Sequence, residues 1–244
     1  MPRTVPSRAP MARHTTIPVL LCSVLLLAAC GGNDGKSSAS RPATTAAPAA
    51  PAPAPASGCT KVTAPAPKGE GSLKAPKHRL ATDRTWTAQV KTNCGAFTIA
   101  LDAKRWPKTA SSFAALARKG FYDGLTIHRI VPGFVIQGGD PKGDGTGGPG
   151  YTVVEKPPAN TRYRKGVVAM AKTSAEAPGT SGSQFYVVLG ADAGLPPEYA
   201  LVGKVTKGLD VVERIGKLPL ATQDPQGSPP AEPVVIEKVT VAGA

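Results

Sequence analysis

Regular alternation of apolar and polar positions begins only at about Thr85. Thr87-Ala-Gln-Val-Lys91 and Phe97-Thr-Ile-Ala-Leu101 alternate with period two on either side of Asn93-Cys94-Gly95, which predicts a β-hairpin. Ala110, Phe113, Leu116 and Ala117 then fall on one face of a helix. Trp106-Pro107 opens that helix, because a first-turn residue needs no amide partner, and Gly120 closes it. Apolar runs over 125–130, 134–138, 166–171, 184–189 and 200–205 predict five more strands, and 234–241 a last one. Leu209, Val212 and Ile215 recur at helical spacing over Leu209–Ile215. Eight strands and two helices joined by Gly/Pro loops imply a mostly β fold, a closed eight-stranded antiparallel barrel capped by two α-helices.

The segment before residue 85 carries other signals. Residues 1–29 hold Arg3, Arg8 and Arg13, no acid, and an apolar run from Ile17 to Ala29. This is the layout of an export signal, with an apolar stretch short for a membrane span. It ends in Leu27-Ala-Ala-Cys30-Gly, which resembles the bacterial lipobox and implies cleavage before Cys30 and lipidation of its thiol. Residues 30–57 are small, Pro-rich and almost without large apolar side chains, so they cannot bury enough surface to offset chain entropy. Their Ala-Pro repeats read as an extended, stiff tether. Residues 58–84 form an extended leader, and 85–244 the folded domain.

Cysteine and charge add to this picture. Cys22 departs with the signal and Cys30 takes the lipid, which leaves Cys59 and Cys94 to pair in an oxidising compartment. The formal charge is +13, falling to +10 once the three signal arginines are removed. The cations are scattered and aromatics are only 5%. They suit a solvated surface, with anionic headgroups or wall polymers as partners before nucleic acid, and we expect no nucleic-acid partner.

Several chemistries are excluded by context. Gly143-Asp-Gly145-Thr-Gly-Gly148 has the spacing of a dinucleotide loop, but Pro149 and then Pro157-Pro158 prevent the helix that loop requires. His78 and His128 have no partner at ligand spacing, so no metal is expected. Gly179-Thr-Ser181-Gly182-Ser183 lacks the last glycine of a nucleophile elbow. Asp140 and Asp144 sit among glycines as turn residues. A basic residue, an amide and apolar residues remain around a glycine loop. That set suits a reaction without nucleophile, base or metal.

Phe121-Tyr-Asp-Gly124, His128-Arg-Ile-Val-Pro-Gly-Phe134-Val-Ile-Gln137-Gly-Gly-Asp140, Gly145-Thr-Gly-Gly148, Met170-Ala171 and Ser181-Gly-Ser-Gln-Phe-Tyr186 occur in this order. The stretch from about Thr87 to Val241 resembles the cyclophilin-type peptidyl-prolyl cis–trans isomerases. The resemblance implies an eight-stranded barrel with two capping helices and no cofactor. It implies that Arg129 is the catalytic arginine and Gln137 the residue that orients it. Phe134, Val135, Tyr186, Leu195 and Tyr199 match positions of the proline pocket, and Ala171, Lys172 and Gln184 match positions that bind the peptide. Departures from familiar eukaryotic members are Lys172 for asparagine, Val135 for methionine, Tyr186 for phenylalanine, Gly194 for tryptophan and Tyr199 for histidine. Without that tryptophan, weak binding of cyclosporin is expected. The loop from Lys172 to Thr180 is also longer than in compact members by about three residues.

The expectation is a monomeric isomerase, anchored outside the cytoplasm by its lipid, acting on proline-containing exported polypeptides. Two other readings stay open: a cyclophilin-like module that binds proline segments without turnover, and a basic lipoprotein that binds wall polymers.

Overall fold

The computed structural model describes residues 58–244. The expected signal segment 1–29, the lipidation site Cys30 and the tether 30–57 lie outside the described residues.

The predicted hairpin forms from β1 (Trp86–Thr92) and β2 (Gly95–Leu101), paired along their whole length. Helix α1 (Pro107–Arg118) follows, then β3 (Ile127–Val131) and β4 (Val135–Gly138). After β5 (Val153–Val154) come β6 (Val167–Met170), β7 (Thr180–Ser181) and β8 (Phe185–Val188). β9 (Leu201–Lys207), α2 (Leu209–Ile215) and β10 (Ile236–Gly243) complete the chain. Eight strands make one antiparallel sheet in the order β10-β1-β2-β9-β6-β8-β4-β3. β5 and β7, too short for a periodic signal, pair separately and were not predicted.

The expected full closure of the barrel needs correction. β3 and β10, at the ends of the order, do not pair along their length. One bridge from Thr126 to Val235 joins them. Around it, Ile127 N–H donates to the Val234 carbonyl and Ile236 N–H to the Leu125 carbonyl. The segment before β10 is shared between the two edges: the Asn93 side chain, just after β1, donates to the Pro233 carbonyl (3.1 Å) and accepts from the Val235 amide (2.8 Å). It holds residues 233–235 at the end of β1, where the Asn93 amide also donates to the Val235 carbonyl (3.3 Å). The sheet is strongly curled, and its edges meet over a few residues.

The apolar face read for α1 is buried at Ala110, Phe113, Leu116 and Ala117. Phe113, Tyr122 and Phe185 pack with ring centroids 4.9–5.7 Å apart. No local side chain caps α1. Glu155, 46 residues away in sequence from Thr109, accepts the amides of Lys108 (3.1 Å) and Thr109 (2.8 Å) instead. A carboxylate there satisfies orphan donors and meets the positive end of the helix dipole.

β4, β8 and β6 are covered on both faces. Ile136, Phe185, Val187, Val168 and Met170 point into the main core. Val135, Tyr186, Val188 and Ala169 point the other way, into a second apolar cluster with Tyr163. Strands buried on both faces read as continuous apolar runs, which is why β8 is Phe-Tyr-Val-Val. The second cluster forms a wall of the candidate site.

The leader crosses the domain without regular secondary structure, and its Cys59 is bonded to Cys94 in the β1–β2 turn, as expected. The bridge closes a loop spanning 35 residues. In the chain-entropy picture such a loop stabilises by roughly 3–4 kcal/mol. Replacing both cysteines by alanine should therefore lower the free energy of urea unfolding by roughly that amount. An unchanged midpoint would show that the leader is held by its other contacts alone.

Candidate active site

The outer face of the sheet builds the site through register. Arg129 on β3 is opposite Gln137 on β4, Gln137 is opposite Tyr186 on β8, and Tyr186 is opposite Ala169 on β6. Side chains directly opposite each other on one face are neighbours. A row of four strands thus sets a guanidinium, an amide and an aromatic ring side by side.

This row floors a cleft of about 550 Å³. Arg129, Phe134, Val135, Gln137, Ala171, Lys172, Tyr186, Leu195 and Tyr199 all line it. Gln184 lines an adjoining groove of about 700 Å³, which shares Gln137, Ala171 and Lys172 with the cleft. The sheet and its loops therefore bring together all ten residues named from the sequence.

Arg129 is half-buried and firmly held. Its Nη1 donates to Gln137 Oε1 (2.9 Å) and its Nε to the Gln226 carbonyl (2.6 Å). Nη2 makes no hydrogen bond among the described residues. Gln137 Nε2 donates to Gln184 Oε1 (3.0 Å), and Gln184 Nε2 to the carbonyls of Gly145 (2.9 Å) and Gly147 (3.0 Å). Burial lowers the pKa of Arg129, opposed by Tyr199 and by the Asp224 carboxylate. A guanidinium starts so high that it stays charged regardless.

The glycine loop is folded by Asp140, which is buried and accepts the amides of Lys142 (2.8 Å) and Gly145 (2.5 Å). A Cβ at position 147 would stand 2.2 Å from the Asp140 carboxylate, so the loop closes on that side chain only with glycine there. The turn role read for Asp140 holds, and the loop backs the site rather than cradling a phosphate.

The apolar wall is aromatic. Tyr186, Tyr199 and Tyr163 stand with centroids 5.7–6.5 Å apart. The Tyr163 hydroxyl donates to the Tyr199 carbonyl (2.8 Å) and accepts from the Tyr199 amide (2.9 Å). Burial pushes the Tyr163 hydroxyl up to about 12 and Tyr186 further up. The Tyr186 hydroxyl is buried and has no hydrogen-bond partner among the described residues.

Lys172, expected at a peptide-binding edge, has its ammonium turned into the fold. It pairs with Glu198 (3.2 Å) and donates to the carbonyls of Thr173 and Glu176 (both 3.1 Å). The long loop is thereby folded back on itself, and the lysine charge is spent internally.

Sequence reasoning missed Gln226, Gly227 and Pro229, which reach the cleft from the segment between α2 and β10. Nothing in that Pro/Gly-rich stretch marks it except its turn residues. His128, read from the sequence only as lacking a metal-ligand partner, lines the cleft and is buried. Among the described residues, no group of His, Cys, Asp or Glu could hold a metal ion.

Comparison with known proteins fits this geometry. The family model described as "Cyclophilin type peptidyl-prolyl cis-trans isomerase/CLD" matches residues 87–241. The chain belongs to the cyclophilin-type peptidyl-prolyl cis–trans isomerases. Within this family it is 36% identical to the probable peptidyl-prolyl cis-trans isomerase A of Mycobacterium bovis over 176 residues, covering 65% of this chain and 93% of that one. It is 44% identical to peptidyl-prolyl cis-trans isomerase B of Bacillus subtilis over 110 residues, or 45% and 75% of the two chains. A cyclophilin-type isomerase of Cryptosporidium parvum superposes with a TM-score of 0.59 at 29% identity, covering 65% of this chain and 98% of that one. A second structure of that cyclophilin, determined in the presence of the dipeptide Ala-Pro, superposes with a TM-score of 0.57 over 64% of this chain and 98% of that one.

One histidine in this cyclophilin site links its stability to pH. Burial holds the His128 pKa below the usual histidine value. The Asp140 carboxylate opposes that shift and the Arg129 charge reinforces it. The folded protein thus keeps His128 neutral while the unfolded chain protonates it near its ordinary value of about 6.5. Stability from this residue is full above about pH 6.5 and is lost as pH falls toward the lower folded value. Urea unfolding at pH 7.5 and 5.5 should show a loss on acidification that is smaller in His128→Gln, and an equal loss in both proteins would rule His128 out as its source.

Proposed function

We propose that the isomerase acts outside the cytoplasm on proline-containing segments of newly exported polypeptides, held to the membrane by a lipid on Cys30. The hydrogen-bonded Arg129 beside an apolar cleft carries the site reading. The basic, acid-free start of the chain, with Cys30 after its apolar run, supports the location.

The chemistry follows from the amide. Rotation about an X-Pro bond crosses a barrier of ~18–20 kcal/mol because twisting breaks the C–N resonance. In the twisted state the prolyl nitrogen regains its lone pair and accepts a hydrogen bond. Only an interaction stronger with the twisted than with the planar amide speeds the step. Arg129 supplies it: two of its nitrogens are held by Gln137 and the Gln226 carbonyl, which leaves Nη2 for the prolyl nitrogen. The proline ring enters among Phe134, Val135, Leu195 and the Tyr186 and Tyr199 rings, and the chain before it lies along Ala171, Lys172 and Gln184. No proton is transferred and no bond is broken, so the reaction needs no cofactor. A module that only bound proline would have no use for a guanidinium held in this way.

Arg129→Ala should lower kcat/KM for an Ala-Pro peptide, followed by NMR exchange, by ~100- to 1,000-fold while the protein stays folded. Activity within a few-fold of the parent would move the decisive interaction elsewhere in the cleft. Cys30→Ala should shift the protein from the membrane pellet to the soluble exported fraction, and retention in the pellet would sink the lipid anchor.

A further inference from the structure

The family match begins at residue 87, yet the leader before it is built into the domain. Between Lys68 and Leu73 it lies along the glycine loop. Lys68 N–H donates to the Pro141 carbonyl (2.7 Å), Gly71 N–H to Gly148 (2.9 Å) and Leu73 N–H to Pro149 (2.8 Å). Glu70 pairs with Lys142 (2.9 Å) across the same contact, and the Lys68 ammonium donates to the Asp123 carbonyl. The two backbones touch. A Cβ on Gly71 would lie 2.7 Å from the Pro149 backbone, and one on Gly150 2.5 Å from the Gly71 carbonyl.

The loop that receives these bonds also holds the polar row of the site. Its Gly145 and Gly147 carbonyls take both bonds from Gln184 Nε2, Gln184 Oε1 takes one from Gln137, and Gln137 Oε1 takes one from Arg129. Glycines at 143, 145, 147, 148 and 150 give the loop large freedom when it is not held. Asp140 fixes the near end through two amides, and the leader holds both ends, at Pro141 and Lys142 and at Gly148 and Pro149.

We propose that leader residues 68–73 are a positioning strap for the isomerase site. The strap holds the glycine loop so that its carbonyls orient Gln184, and through Gln184 and Gln137 the Arg129 guanidinium. This rests on the reading of Arg129 as the catalytic donor. Gln184 has one amide nitrogen and one amide oxygen, and each is used in one direction. If the loop carbonyls move, the amide turns and Gln137 loses its acceptor. A misplacement of about 1 Å at a catalytic group can cost on the order of 100-fold in rate, even when the cause lies away from the chemistry. The strap makes no contact with Arg129, so it reaches the guanidinium only through the orientation of Gln184 and Gln137.

The test uses the full-length protein with Gly71→Ala, which forces the strap and the loop apart and alters no residue of the cleft. We expect kcat for an Ala-Pro peptide to fall about tenfold or more and the Gln184 side-chain amide resonances to shift, both well below the unfolding temperature. A folded Gly71→Ala protein with parental kcat overturns the proposal, whatever its melting temperature. Should that variant not fold, Glu70→Gln and Lys142→Ala decide. Each removes the ion pair and leaves the backbone contacts, and a fall in kcat of about twofold or more is expected, whereas parental kcat in both overturns the proposal. Arg129→Ala separates the two readings. If it keeps activity, the site assignment fails; if it loses activity while Gly71→Ala keeps it, the strap alone fails.

Discussion

Cross-strand register is the constraint on which the rest of this structure depends. Side chains of a strand alternate between faces, so a slip of one residue would send the whole outer row inward. Arg129, Gln137, Tyr186 and Ala169 share one face only because β3, β4, β8 and β6 pair in the observed register. The inner face enforces it. Ile136, Phe185, Val187 and Val168 fill the core between those positions, and a shifted strand would bury Gln137 in their place. The core thereby holds a guanidinium and an amide at hydrogen-bond distance on the outside of the sheet.

Around that rigid row, the loops supply what a sheet cannot. A strand face offers side chains but few carbonyls, since its main chain is used in the ladder. The Gln226 carbonyl and those of Gly145 and Gly147 arrive from irregular segments, and they fix the row from its two ends. The Lys172 loop turns its charge inward against Glu198, so the guanidinium of Arg129 meets the cleft without a second cation reaching in from that loop.

Much of this was legible in the sequence. The alternation in 87–101, the face of α1 and the run Phe-Tyr-Val-Val of β8 report burial directly, and burial sets periodicity. The motif around Arg129 and Gln137 named both residues. What was not legible depends on contacts between distant segments. Glu155 caps α1 from 46 residues beyond Thr109, Asn93 ties 233–235 to the end of β1, and Gln226 meets Arg129 from 97 residues away. No local pattern encodes such a meeting. β5 and β7 were missed for a related reason, since two residues cannot show a period. The leader read as merely extended because most of its bonds to the domain run through its backbone, which carries no side-chain signature.

The cystine between Cys59 and Cys94 also decides how the domain bears load. Tension on the chain ahead of Cys59 passes across the sulfur bridge into the β1–β2 turn. From there it spreads into a hairpin paired over seven residues on each strand. Residues 60–85 lie off that path, bonded to the domain along their own length. A domain moored and pulled from its N-terminal side would thus take the strain in its longest ladders, and the catalytic face would stay still.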